Sequence, residues 1–357
     1  MRKIISILSI LFITLKLYGQ SPKVDSFIVS YVKNHNFNGT ILIQNNSKII
    51  YQKSFGFANF QFKIPDNIDT KYKIASITKL FTSVLIMQLY EQGKIDLNKP
   101  IKTYLPDYKG EGAEKVLICQ LLNHTSGMVN IDTISSIESA VKNGVPVYQK
   151  PCTTDEFLDK YCSDPLLTEP GKVFSYNNAE YIVLGKIIEK LTGKSFENAL
   201  HDNILQPLKM TNSGLLYQHV ILDGLADTYF YRDDLKQLVN DLPVYIENWY
   251  SSGSMYSTAG DLLRFSNAFF GLKMVNKETL DLIIKPGLDN YGFGVWINEY
   301  EIKNKKYTAV KRPGSIMGAQ TMLMHFSDPD LTIIILSNTG TTNLDDFVLE
   351  ISKHLIE

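Results

Sequence analysis

Cysteine is scarce in this chain. Cys119, Cys152 and Cys162 are an odd set of three, which excludes a disulfide framework. Cys152 and Cys162 are read as separate buried thiols rather than a pair. No Cys/His cluster has metal-ligand spacing, so no metal is predicted, and nothing calls for another cofactor. Arginine is scarce too: Arg2, Arg232, Arg264 and Arg312 stand among 36 basic residues, so lysine is the default cation. Without a basic patch, a nucleic-acid partner is not expected. No apolar run reaches the ~20 residues that a bilayer span requires. Internal repeats and low-complexity linkers are also missing, and the oligomeric state is left open.

What is present begins with Arg2, Lys3 and a run from Ile4 to Leu15, the pattern of a secretory signal peptide. A cut after Gly19 makes residues 1–19 the signal and predicts an exported protein, periplasmic or secreted, with no stable membrane span. Loss of Arg2, Lys3 and Lys16 takes the formal charge from −1 to about −4 (−1 − 3). At 357 residues and 44% hydrophobic, the chain can bury a large core.

Periodicity predicts an amphipathic helix from Val24 to Lys33. A hairpin follows, Gly39 to Gln44 and Lys48 to Phe55, around an Asn45-Asn46-Ser47 turn. Ser76 to Gln92 is apolar on nearly every side and stops at Gly93, which marks a core helix. Residues 94–250 read as helical with long loops, including a helix from about Ala179 to Leu191 that ends before Gly193, and a further helix runs from about Thr258 to Phe269. Strands follow at Phe293 to Tyr300, Tyr307 to Arg312, Ala319 to His325 and Leu331 to Ser337. The last pair is joined by a Ser327-Asp328-Pro329-Asp330 turn, and a helix from Leu344 to Leu355 closes the chain. The expected fold is α+β: an antiparallel sheet flanked by N- and C-terminal helices, with an inserted all-helical lobe.

Ser-x-x-Lys occurs three times, at Ser30, Ser139 and Ser76. Ser30 lies on an ordinary amphipathic surface and Ser139 in a polar stretch. Ser76 opens the core helix, and Lys79, three residues on, shares its face. Burial of such a lysine favours its neutral, basic form, and an adjacent base is what a serine nucleophile needs. The competing reading is a helix cap with a snorkelling lysine. Tyr176 and Asn178 form the only Tyr-x-Asn of the chain, in a loop before a helix. A tyrosine beside a lysine can relay protons, and an asparagine amide can hold a carbonyl; Asn177 or Asn178 can equally cap the helix.

Five blocks occur in order: YKIASITKLFT, LLNHTSGM, PGKVFSYNNAEYIVLGKIIEKLTGKSF, NILQPLKMTNS and GSMYSTAGDLLRF. Together they resemble the serine β-lactamase-like family of class C β-lactamases, low-molecular-weight penicillin-binding proteins, D-aminopeptidases and related esterases. The resemblance spans the mature chain. It implies one catalytic domain over residues 20–357, with a sheet lobe of about 20–75 and 251–357 and a helical lobe of about 76–250. It further implies that Ser76 is acylated, that Lys79 accepts its proton, that Tyr176 relays protons and that Asn178 binds the substrate carbonyl. His124 is read as structural.

The third family box, Lys or His, any residue, then Gly, falls on Arg312-Pro313-Gly314. Lys311 is one residue out of phase, and strand alternation points it to the opposite face. Arg312 offers a fork for a substrate carboxylate or phosphate, with a salt bridge to a nearby acid as the alternative. Ser315 would supply an oxyanion N–H. The reading is an exported serine hydrolase acting on a small-molecule or peptide substrate: a peptide, an amino-acid derivative or a small ester. A D-alanyl-D-alanine carboxypeptidase or β-lactamase competes with it, as does a non-catalytic sensor of the same fold.

Overall fold

The computed structural model describes residues 22–132 and 136–356. The predicted signal lies outside them. Helix α1 (Pro22–Asn34) leads into strands β1 (Gly39–Asn45) and β2 (Lys48–Phe55), and the polar residues 46–47 turn the hairpin. The remaining strands come from the end of the chain: β3 (Trp296–Ile302), β4 (Lys305–Ile316), β5 (Ala319–Phe326) and β6 (Leu331–Ser337). They form one antiparallel sheet in the order β3-β4-β5-β6-β1-β2. The two ends of the sequence therefore meet at the β1–β6 pairing, where Ile41 faces Ile335 and Ile43 faces Ile333.

Side-chain alternation divides the sheet into two apolar faces. Ile41, Ile43, Met322, Met324, Ile333 and Ile335 turn toward α1 and the last helix α5 (Leu344–Leu355). Leu42, Leu323, Ile334 and Leu336 turn the other way, into a larger core built with the inserted segment. That core centres on α2 (Thr78–Glu91), which is buried around nearly its whole circumference. Helix α3 (Asn178–Thr192) packs against it, and α4 (Ala259–Phe270) stacks Phe265 on Phe81 with ring centroids 3.9 Å apart.

The inserted segment is mostly helical but is not purely so. Tyr229–Arg232 pairs with Gln237–Asn240, and Met255–Ser257 bridges Tyr72–Lys73 to Gly214–Leu215. The three cysteines are free; Cys162 is buried, whereas Cys152 is only half-buried, contrary to expectation.

Most strand limits fall within two residues of the sequence pattern; two differ by more, each for a local reason. The strand predicted from Phe293 starts at Trp296. Phe293 N–H instead bonds Ile283 O, and Gly294 takes φ +88°, outside the extended region. β4 runs on past Arg312 to Ile316, although Pro313 brings no N–H. β3 pairs only as far as Lys311, so beyond it this edge of β4 has no strand partner and tolerates proline.

That free edge faces the 3₁₀ turn Ala75–Ile77, which precedes α2. Gly314 makes the approach possible. A Cβ there would lie 2.4 Å from Ile74 O, 2.5 Å from Thr321 Oγ and 3.1 Å from Ser76 N. Gly314→Ala is accordingly expected to push β4 away from the turn, costing about 1–3 kcal/mol and slowing any acylation of Ser76. Urea midpoints and Ser76 labelling rates check both effects; a wild-type value for each would show that the close approach is dispensable.

Candidate active site

Ser76 is not the cap of α2. The N-cap position is Ile77, with no side-chain cap bond, and Ser76 lies within the preceding turn. Ala75, just before it, has φ +48°, a left-handed conformation that costs a non-glycine residue about 1–3 kcal/mol. Neighbours hold the strain in place: Ile74 N–H bonds Met255 O (2.9 Å), Thr321 Oγ donates to Ile74 O (3.0 Å), and Thr78 Oγ donates to Ala75 O (2.7 Å).

Lys79 is fully buried one turn on. Its Nζ lies 3.1 Å from Ser76 Oγ, 2.5 Å from Asn178 Oδ1 and 2.9 Å from Ser252 O. Three acceptors match the three N–H bonds of an ammonium. Burial nonetheless pushes its pKa below the usual lysine value; the Tyr176 phenol opposes this and the Arg312 charge adds to it.

Asn177 caps α3, its Oδ1 accepting from Ala179 N–H at 2.9 Å. It also ties the loop down through Met128 O and Val129 O. That cap sets Asn178 at the first helical position, facing Lys79, with Tyr176 just outside. The capping and catalytic readings of this loop therefore use different residues and coexist. Asn178 Nδ2 donates to Asp132 Oδ2 at 2.6 Å, and Asp132 Oδ1 accepts from Tyr148 OH at 2.5 Å.

Arg312 requires a correction. Its side chain is only 1% exposed, and its guanidinium is spent inside the protein. Nε donates to Ser76 O (2.6 Å), Nη1 to Tyr291 OH (2.9 Å) and Nη2 to Tyr176 OH (2.7 Å). Among the described residues it pairs with no acid, and it lines neither opening beside Ser76, which leaves it poorly placed for the substrate carboxylate expected from the sequence. Lys311 does lie on the opposite face, in a 2.5 Å ion pair with Asp345.

The result is a tyrosine between two cations. Burial alone would raise the Tyr176 pKa. Arg312 and Lys79 outweigh it, hydrogen bonding with Lys79 and Ser76 adds to their effect, and the net shift is downward. As a phenolate, Tyr176 can take the Ser76 proton while Lys79 keeps its own. Beneath the ring lies His124, wholly buried, with its ring centroid 4.3 Å from that of Tyr176 and Nδ1 against Glu180. Burial holds both neutral, pushing the Glu180 carboxyl well up and the His124 imidazole well down. This supports the structural reading of His124.

Gly314 and Ser315 border the opening in front of Ser76 and Tyr176. Asp132, Tyr148, Tyr291 and Ser252 escaped the sequence reading. Tyr291, in the run YGFGVW, had an aromatic and glycine signal; Asp132 had none among 37 acidic residues. Among the described residues, no group of three His, Cys, Asp or Glu is placed to hold a metal ion.

The profile of the Beta-lactamase family matches residues 24–356. The chain belongs to that family. It is similar to a penicillin-binding protein of Bacillus subtilis strain 168, 27% identical over 345 residues that cover 90% of this chain and 73% of that one. It is 24% identical over 329 residues to a teichoic acid D-alanine hydrolase of Staphylococcus aureus, covering 91% and 76%. The crystal structure of a penicillin-binding protein from Bacillus halodurans superposes with a TM-score of 0.77 at 26% identity, over 91% of this chain and 98% of that one. A serine hydrolase on an α+β sheet-and-helix scaffold is what the family and the fold together give.

Arg312→Gln tests the electrostatic arrangement. Removing the guanidinium removes a force that lowers the Tyr176 pKa, so the acid limb of kcat/KM for p-nitrophenyl acetate should move to higher pH. At neutral pH kcat/KM should fall ~10- to 100-fold. An unmoved limb would contradict the account.

Proposed function

We propose that this protein is an exported hydrolase that forms an acyl-enzyme on Ser76 with an amino-acid ester, an amide or a short peptide. Ser76 Oγ attacks the carbonyl carbon as its proton passes to the Tyr176 phenolate. The N–H groups of Ser76 and Ser315, on the two backbones that Gly314 lets approach, take the oxyanion. Collapse of the tetrahedral adduct expels the alcohol or amine, which leaves with the proton from Tyr176. Water then enters, gives a proton to the Tyr176 phenolate as its oxygen attacks the acyl carbon, and when that adduct collapses Tyr176 returns the proton to Ser76 Oγ, releasing the acid and restoring both the free serine and the phenolate. Lys79 holds Ser76 Oγ and Asn178 in place and stays cationic through both halves, a different part from the proton acceptor that the family resemblance implies.

The observation that carries this reading is that Lys79 Nζ lies 3.1 Å from Ser76 Oγ while Arg312 Nη2 donates at 2.7 Å to Tyr176 OH, the phenol whose pKa Arg312, Lys79 and Ser76 lower. On this reading the nucleophile, its base and the charge that tunes the base are already together before any substrate arrives. The relative named teichoic acid D-alanine hydrolase lends support for an amino-acyl substrate. Engagement of Arg312 argues against a β-lactam or a D-alanyl-D-alanine terminus, since both present a carboxylate that this guanidinium no longer meets. The N-terminal apolar run supports export.

Intact mass after exposure to a fluorophosphonate and then to penicillin tests the proposal. One fluorophosphonate adduct is expected, lost in Ser76→Ala, with penicillin adding slowly or not at all. A folded sample that takes neither label would favour the non-catalytic sensor instead.

A further inference from the structure

Two recesses open on either side of Ser76 and share Ser76, Tyr176, Ser315 and Gln320. Among the described residues, neither is lined by a lysine or an arginine. One, of about 560 Å³, has Asp345 as its charged lining residue, already neutralised by Lys311. The other, of about 360 Å³, is walled by apolar groups such as Ile131, Trp249 and Ile316, and its one charged lining residue is Asp132. Asp132 makes no ion pair among the described residues. Its two hydrogen-bond donors, Tyr148 and Asn178, are neutral, and Lys79 is felt across the Asn178 amide.

A carboxylate in that position is costly unless something positive meets it. Burial accordingly pushes the Asp132 pKa up, against the opposing pull of the Tyr148 hydroxyl, Lys79 and the Asn178 amide. Two hydrogen bonds leave about two of its four lone-pair sites open. We propose that Asp132 binds the ammonium of an amino-acyl substrate, so that the enzyme selects esters and amides whose acyl group carries a free α-amine. This rests on the reading of Ser76 as the acylated nucleophile. The free amine lies one carbon from the carbonyl that Ser76 attacks, and Asp132 lines the same recess. An N-acylated substrate presents a neutral amide there and leaves the carboxylate unpaired. A terminal carboxylate would meet an acid on either side of Ser76 and an accessible cation on neither.

The test reads binding on Ser76→Ala, which cannot be acylated, so the result does not depend on turnover. Dissociation constants are measured by ligand-observed NMR for phenylalanine amide and N-acetylphenylalanine amide, both hands of each, with and without Asp132→Asn. The free amine of one hand should bind at least tenfold tighter than its N-acetyl form. Asp132→Asn should collapse that ratio toward one, and Asp132→Glu should keep part of it. A carboxylate that merely positions Asn178 would weaken both ligands alike and leave the ratio standing, which overturns the proposal. So does a Ser76→Ala protein that binds both forms equally. Fluorophosphonate labelling of the wild type separates the two claims: no adduct sinks the hydrolase reading, while the binding ratio still judges Asp132.

Discussion

The buried guanidinium of Arg312 is the constraint around which this site is built. A charge removed from water must be hydrogen-bonded or its desolvation is not repaid. Arg312 finds three acceptors on three separate parts of the chain: the Ser76 carbonyl, Tyr291 and Tyr176. Satisfying the arginine therefore fixes the turn that carries Ser76, the loop before β3 and the loop before α3 relative to one strand. The same contacts lower the Tyr176 pKa, so packing and catalytic tuning come from one interaction. A lysine could match the charge but not the geometry, because its donors radiate from one nitrogen and do not fork.

Spending the guanidinium inside the protein changes what the cleft can recognise. With Lys79 wholly buried and Lys311 paired to Asp345, no cation among the described residues lines either recess. An acid on each side remains, one neutralised and one not. On the proposed reading, these electrostatics disfavour substrates with a terminal carboxylate and favour those with an amine, on a fold that the chain shares with its family. Function here differs from fold in where one cation points.

Much of the fold was legible because its signals are periodic. Short apolar runs on either side of the Ser327–Asp330 turn placed β5 and β6 nearly to the residue, and the all-round apolar run from Ile77 marked α2 as a core helix. The end of α3 was marked by Gly193, which takes φ +67° as left-handed helix stops do. What was missed depends on contacts distant in sequence. The continuation of β4 through Pro313 follows from where β3 ends, which β4 itself does not encode. Ser76 looked like a cap because serine before a helix usually is one; the strained Ala75, held by Met255, Thr321 and Thr78, moves it inside a turn. Spacing singled out Lys79, Tyr176 and Asn178, and the structure gathers them beside Ser76. The partners that set their chemistry, Asp132 and Tyr291, come from loops with no fixed offset, and the arginine's target was misjudged because sequence cannot say which way a buried side chain is spent.

The central claim is that Arg312 and Lys79 hold Tyr176 ready to ionise, and ultraviolet titration measures this without any substrate. The difference in tyrosinate absorbance near 295 nm between wild type and Tyr176→Phe isolates one phenol among 20. A transition below the ordinary value of about 10, absent from Tyr176→Phe and shifted upward in Arg312→Gln, is the predicted result. A Tyr176 that ionises at or above that value, or one unaffected by Arg312→Gln, would contradict the account.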